Sequence, residues 1–568
     1  MKYFITYDNP LKRYLDIRLT IDTQQLSTLE LKLPIWRPGR YEAANYAKNI
    51  QKISAKSETG HELAIQKLKP SHWQIECNGV NEASINYQYY AHEMDAGNSF
   101  LNEHMVYINF INCLLYLEDR MEEPHEVMLD LPDDYSIACS LSRQSHHLTA
   151  KSYYELVDSP MIASSSLDHH TYNIDGYKFH IWIQGVHDLE METLIHQFEQ
   201  FTELQIKVMG DFPVSEYHFL FHILAYKHYH GVEHGASTVI TLGPSDEVEK
   251  KPLYNELLGV SSHELFHTWN ILKIRPKQIM PYNFAQPPVF PTGFVAEGFT
   301  TYYGDLFLKR SGVFSMEEYL HELEKLFTRH FLNHGRLNNS VYDSSIDLWF
   351  DGYQPSAPHK KSSIYVEGAV IALLLDLKIR LASNHERSLD DVMRILWDRF
   401  GKTQTGYRYD DIIEACEEVM GSSLNVFFDS YVKGTRDTTA LLTELVGEFG
   451  LKLTFRDREN ILEKTLGILL AKKEDSYTIV YIAPESIGEQ YFSVRDQIKS
   501  VNSKSVTEWI EAGEYESELI FEVLRYHAPL EVKVKLDLER SYFQTPKVSI
   551  AEPLGEQIKE ALDFWLHK

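Results

Sequence analysis

Along the first third of the chain apolar and polar residues alternate, and further on this gives way to longer helical periods. Runs at 14–21, 29–33 and 83–90 alternate and are cut by turn-forming residues, which predicts β-strands. Residues 1–8 alternate in the same way and lack the apolar core of a secretory leader. Between about 175 and 300 the two periods mix. Strands are predicted at 178–184, 217–227 and 239–242, and helices at 189–209 and 255–273, with Pro276 beyond the second helix. From about 314 to 435 helical spacing dominates, at 366–380, 388–399, 409–420 and 424–431. Short strands return from about 451. In the tail, 555–567, Ile558, Leu562 and Trp565 form one apolar face, which predicts a helix docked back on the body. The pattern is that of an α+β multidomain protein. Its expected parts are a β-rich domain at 1–170, a mixed then helical domain at 171–445, a strand-rich unit at 446–545 and a helical tail at 546–568.

One predicted helix carries chemistry. It contains His263-Glu264-Leu265-Phe266-His267. Residues four apart on a helix lie about 40° apart around the axis and one turn along it, so both imidazoles can reach one ion. Glu264 falls beside that ion, where a carboxylate can take a proton from water. With 26 His in the chain, the plain alternative is a His-rich exposed helix face. Glu297 argues against it. It follows a loop holding Pro276, Pro281, Pro287, Pro288 and Pro291, and opens a second helical stretch able to pack on the first. Two His and one carboxylate leave a fourth coordination position open, which marks a catalytic zinc, one per chain. Upstream, Gly231-Val232-Glu233-His234-Gly235 joins two predicted strands. Glycine beside an acid at a strand edge lets a substrate backbone approach closely. Asp305, two turns beyond Glu297, reads by default as a helix-surface charge, the alternative being a carboxylate partner for a ligand imidazole.

Composition narrows the partners. Lys plus Arg of 55 against Asp plus Glu of 82 gives a net charge of −27, which argues against nucleic acid and anionic membrane as partners. Cys77, Cys113, Cys139 and Cys416 are scattered, so neither a disulfide framework nor a cysteine metal site is expected, and a cytoplasmic location follows.

Taken together, these motifs resemble the glycyl aminopeptidase family of zinc metallopeptidases along nearly the full length of the chain. The match is carried by His263 to Asn270 with Arg275-Pro276, by Glu297-Gly298-Phe299-Thr300, by Gly231-Val232-Glu233-His234, and by a distant segment, Leu33-Pro34-Ile35-Trp36-Arg37-Pro38-Gly39-Arg40-Tyr41. The resemblance implies a β-rich N-terminal domain, a thermolysin-like catalytic domain and a C-terminal PDZ-like domain. It also implies cleavage after a small N-terminal residue, Gly or Ala, of peptides with a free N-terminus. Glu233, with Gly231, would receive the substrate's α-ammonium group. Here the acid comes one residue sooner than in the usual Gly-x-x-Glu. Tyr365, in Tyr-x-x-Gly-Ala, would face the developing oxyanion, with Glu367 standing where a Lys is frequent. In the last unit, 466–469 resembles the carboxylate-binding loop of a PDZ domain and 496–502 its later strand, with Arg495 and Ser503 replacing the usual glycines. The competing readings are a zinc endopeptidase and a non-catalytic scaffold that binds peptides through its PDZ-like domain.

Overall fold

The computed structural model describes residues 1–567 except 352, 355, 474, 475 and 514. In its β-rich N-terminal region the alternating runs become Tyr14–Asp22, Thr28–Lys32 and Glu82–Tyr90. An eight-stranded sheet places Lys2–Thr6 between His125–Leu129, parallel to it, and Tyr14–Asp22, antiparallel. Every second side chain of these strands (Tyr3, Ile5, Leu15, Ile17, Leu19) points into one core shared with Leu31, Trp73 and Tyr87. A smaller sheet runs in the order Ser136–Ala138, Met161–Ser164, Met105–Ile108, Phe100–Leu101.

The next sheet positions the site. Its order is Asp168–Ile174, Tyr177–Gln184, Glu216–Ile223, Ser237–Gly243 and, at the edge, His228–His234. The middle three strands are parallel, joined first by the helix Met191–Met209, and the edge strand is antiparallel. The two-residue period gives the sheet two different faces. Phe179, Ile181, Phe219, Phe221, Ile240 and Leu242 enter the main core under the helices. Trp182, Leu220, Val232 and Val239 turn the other way, onto Tyr107, Ala138 and Ile162 of the N-terminal region. Gly231 and Glu233 pair with Ile240 and Thr238, so they share the helix-facing side.

Helices dominate the region that follows. The helix bearing His263 runs Leu253–Phe266 and not to 273 as predicted; His267 caps it. Thr300–Arg310, Met316–Leu332, Val366–Ala382 and Tyr409–Met420 complete the layer around it. Leu451–Asp457 pairs with Gln544–Ile550, which lies along Met316–Leu332 and ties Lys547 to Glu324 at 2.9 Å. Between those two strands a further sheet has its own core around Leu462, Ile468, Ile498, Trp509 and Phe521. The tail forms the helix Glu556–Leu566. Its Trp565 is fully buried, and its indole N–H donates to the Tyr302 hydroxyl at 3.0 Å. All four cysteines are buried free thiols. Among the described residues no helix is long and apolar enough to cross a membrane.

Candidate metal centre

His263, His267 and Glu297 come together at the end of the first helix. Their nearest ligand-type atoms lie within 4.8 Å of one another. His263 Nε2 and His267 Nε2 are 3.0 Å apart, and His267 Nε2 is 3.5 Å from Glu297 Oε2. Ligands about 2.0–2.1 Å from a tetrahedral ion are separated by about 3.3 Å, which these spacings bracket. The orientation of the rings agrees. His267 Nδ1 donates to the Asn270 carbonyl at 2.6 Å, and the backbone of Thr300 is the partner of His263. With its proton on Nδ1, His267 presents an Nε2 lone pair toward the shared point, where His263 Nε2 also lies. Asp305 is therefore not the orienting group of these imidazoles. It lines the cleft instead, where burial pushes its carboxyl up to about 7.

Local chemistry explains why Glu297 arrives here. It sits in a single π-helical turn, Phe294–Phe299, that runs directly into the helix Thr300–Arg310. Asn270 locks this turn to the end of the first helix: its side-chain amide donates to the Val295 carbonyl at 2.9 Å and to Thr300 Oγ1 at 3.1 Å. Gly298 meets Gly368 of the next helix so closely that a β-carbon on Gly298 would lie 2.3 Å from the Gly368 α-carbon. That contact brings Tyr365, at the start of Val366–Ala382, toward Glu297. On the opposite side, a β-carbon on Gly304 would lie 3.2 Å from His263 Cβ, and Ser262 Oγ donates to the Gly304 carbonyl at 2.8 Å.

Of the remaining expected residues, Gly231, Glu264 and Tyr365 line, with His263, a cavity of about 620 Å³. Glu264 is buried with its Oε2 lacking a protein partner. Gly231 has a more specific place than a substrate groove: a β-carbon there would sit 2.2 Å from Glu264 Oε1, so glycine makes room for that carboxylate. Glu233, though on an edge strand, is buried, and it lies within 4.8 Å of both Glu264 and His267. Glu367 turns away to pair with His330 at 2.7 Å, so the residue replacing the frequent Lys serves the helix layer.

Burial raises the carboxyls of both Glu233 and Glu264, and the two acids with Glu297 reinforce each other. Burial alone would lower His267, yet Glu233, Glu297 and Glu264 hold it up to about 10. The cluster thus demands positive charge at His267 Nε2, and a divalent cation satisfies that demand. A second histidine group, His180 with Glu216 and His218, does not fit a metal. Its rings stack in parallel 4.3 Å apart, so no point lies in both ring planes at bonding distance, and the Trp182 indole N–H already occupies His218 Nδ1.

Sequence reasoning missed the contribution of the N-terminal region. The Tyr41 hydroxyl donates to Glu297 Oε1 at 2.5 Å. Gly39 closes over Glu233: its φ is +76°, and a β-carbon would stand 2.5 Å from Glu233 Oε2. Arg37 is buried nearby, its charge balanced by Asp95 and Glu233. The segment 33–41 carried the family resemblance, but nothing in its local pattern says that it enters the site.

Two family models match the chain: the peptidase M61 N-terminal domain over residues 2–165 and the M61 glycyl aminopeptidase over residues 256–371. No curated protein matches it. Among solved structures, an aminopeptidase N family protein from Idiomarina loihiensis shares the fold over 100% of both chains, at 24% identity and a TM-score of 0.90. An M1 zinc metallopeptidase from Deinococcus radiodurans aligns more loosely, over 77% of this chain and 93% of that one, at 13% identity and a TM-score of 0.48. The chain carries the N-terminal and peptidase domains of the M61 glycyl aminopeptidases and is a metallopeptidase of that family.

Proposed function

We propose that this protein is a zinc-dependent aminopeptidase, with one ion held by His263, His267 and Glu297. The observation that carries the reading is the convergence of two imidazoles and one carboxylate beside a buried, unpartnered Glu264 oxygen. Two nitrogens and one oxygen suit zinc, and three protein ligands leave it an open position. When bound, the ion supplies Lewis-acid polarisation and makes water acidic enough to be deprotonated near neutral pH.

The chain's own groups divide the remaining work. Glu264 accepts the water's proton and hands it to the leaving amine. Its carboxylate is held in place between the helix and Gly231. Glu233 takes the substrate's α-ammonium group through charge-assisted hydrogen bonds, and a buried acid whose guanidinium neighbour, Arg37, is shared with Asp95 is suited to that. Tyr365 donates its hydroxyl to the oxyanion, and Tyr353 lies beside it at 3.4 Å. Because Glu233 stands next to the base and a ligand, only the first peptide bond reaches the reacting centre. The preference for Gly or Ala at the N-terminus comes from the family reading.

In the same proposal the domains run 1–170, 171–445, 446–545 and 546–568, and the protein acts on peptides in the cytoplasm. The third unit is PDZ-like. Arg495 and Ser503, which replace glycines, keep the left-handed backbone that glycine favours, with φ of 75° and 64°. Its edge strand Ile468–Lys473 already has the Leu470 N–H bonded to Glu463 at 3.1 Å, so an added peptide would displace that side chain.

Metal-replete enzyme should hydrolyse Gly- and Ala-peptides with a free amine, lose that activity to a chelator, and leave the N-acetylated peptides intact. Equal cleavage of the acetylated peptides would replace the aminopeptidase with an endopeptidase.

A further inference from the structure

We propose that Tyr41 is a positioning residue for the metal centre. On this reading the β-rich N-terminal region is part of the ion site, although it supplies no ligand. The inference rests on the ligand set His263, His267 and Glu297. The two oxygens of Glu297 have separate partners: Oε1 receives the Tyr41 hydroxyl at 2.5 Å, and Oε2 faces His267 Nε2 at 3.5 Å. A short hydroxyl–carboxylate bond of this kind fixes the carboxylate plane and leaves one oxygen for an ion.

Tyr41 is itself held by rings from two other segments. Phe290 lies 5.9 Å away and Trp349 6.3 Å away, and Trp349 in turn meets Trp36 edge-on at 5.4 Å. The Trp36 indole donates to the Asn283 carbonyl at 2.8 Å, in the loop between the ligand helix and the π-turn. The loop that delivers Glu297 is therefore the surface on which residues 36–41 dock. Arg37, Gly39 and Tyr41 face Asp95, Glu233 and Glu297 in turn. Release of this segment removes the hydroxyl from Glu297 and uncovers Glu233 in one movement.

The test measures zinc dissociation constants of the metal-free full-length chain against a competing chromophoric chelator. Four proteins are compared: wild type, Tyr41→Phe, Glu297→Gln and Tyr303→Phe. Tyr303→Phe deletes a similar buried hydroxyl–carboxylate bond, 2.9 Å to Asp390, away from the ion. Tyr41→Phe is expected to weaken zinc binding about 10–100-fold, with a metal-free melting temperature like that of wild type, and saturating zinc should restore most of kcat. Tyr303→Phe should leave zinc affinity unchanged. Wild-type affinity in Tyr41→Phe, with Glu297→Gln weakened, overturns the positioning role alone. Wild-type affinity in Glu297→Gln overturns the ligand set and this inference with it.

Discussion

Two clusters of buried charge lie on either side of the helix Thr300–Arg310, and they are built on opposite principles. Away from the cleft, Asp376 and Asp390 meet two guanidiniums. Arg310 grips Asp390 at 2.9 and 3.2 Å, and Arg380 reaches Asp376 at 3.2 Å. Hydroxyls of Tyr302 and Tyr303 and the Leu389 N–H fill the remaining positions at 2.7–2.9 Å. Beside the cleft, Glu233, Glu264 and Glu297 are equally buried, but the nearest guanidinium, Arg37, is shared with Asp95. A carboxylate removed from water requires a counter-charge. The first cluster contains its own. The second is short of one, and the Nε2 atoms of His263 and His267 meet beside it. A closed cluster can only hold the fold together, whereas an open one can bind a cation and change with its substrate.

The contrast breaks most sharply at the closed cluster. Arg310→Met leaves two buried carboxylates short of a partner and should cost about 3–5 kcal/mol of stability. Chemical denaturation would show this. The folded fraction should keep near-normal kcat and zinc affinity; a loss of zinc binding at intact stability would mean that the two clusters are coupled. Next comes Glu264→Gln. It should lower kcat by roughly 10³-fold, with bound zinc unchanged and no loss of stability, because one uncompensated buried charge has been removed. A large fall in zinc content would make Glu264 a ligand instead. Tyr365→Phe should be milder, about 10²-fold in kcat with little change in KM. If KM rose alone, the hydroxyl would belong to ground-state binding.

Much of this arrangement was legible from the sequence, for local reasons. The helix Tyr409–Met420 matches its prediction because its amphipathic spacing ends at Gly421, whose φ of 73° stops it. The His263–His267 pair and Glu297 were found because four-residue spacing and a proline-marked loop are local signals. Three features were not local. The first helix was extended to 273, but His267 and Asn270 divert the backbone after Phe266 into their own hydrogen bonds. The π-turn carrying Glu297 has no periodic signature, since one extra residue in a turn leaves the hydropathy pattern almost unchanged. Backbone partners for the imidazoles are invisible in side-chain identity, so the sequence offers only a side chain such as Asp305 for that role. Tyr41 lies 256 residues from Glu297, and only the folded chain brings the two together.

The smallest effect concerns acid. Burial alone would raise the Asp390 carboxyl, but Arg310 and Arg380 more than offset it and hold it below the usual carboxylate range. A group depressed in the folded state stabilises the fold above its unfolded value, near pH 4, and that contribution fades as pH falls through the folded value. Asp390→Asn should therefore melt below wild type at pH 6, and the gap should narrow steadily as the pH drops below about 4. The same pair of scans on Glu233→Gln should show the opposite trend, because burial raises that acid and its ionisation opposes folding. In metal-free protein Glu233→Gln should gain on wild type as pH rises from acid toward neutrality. Parallel trends in the two variants would mean that the open cluster is compensated from within after all, and that its shortage of cation is not what sets it apart.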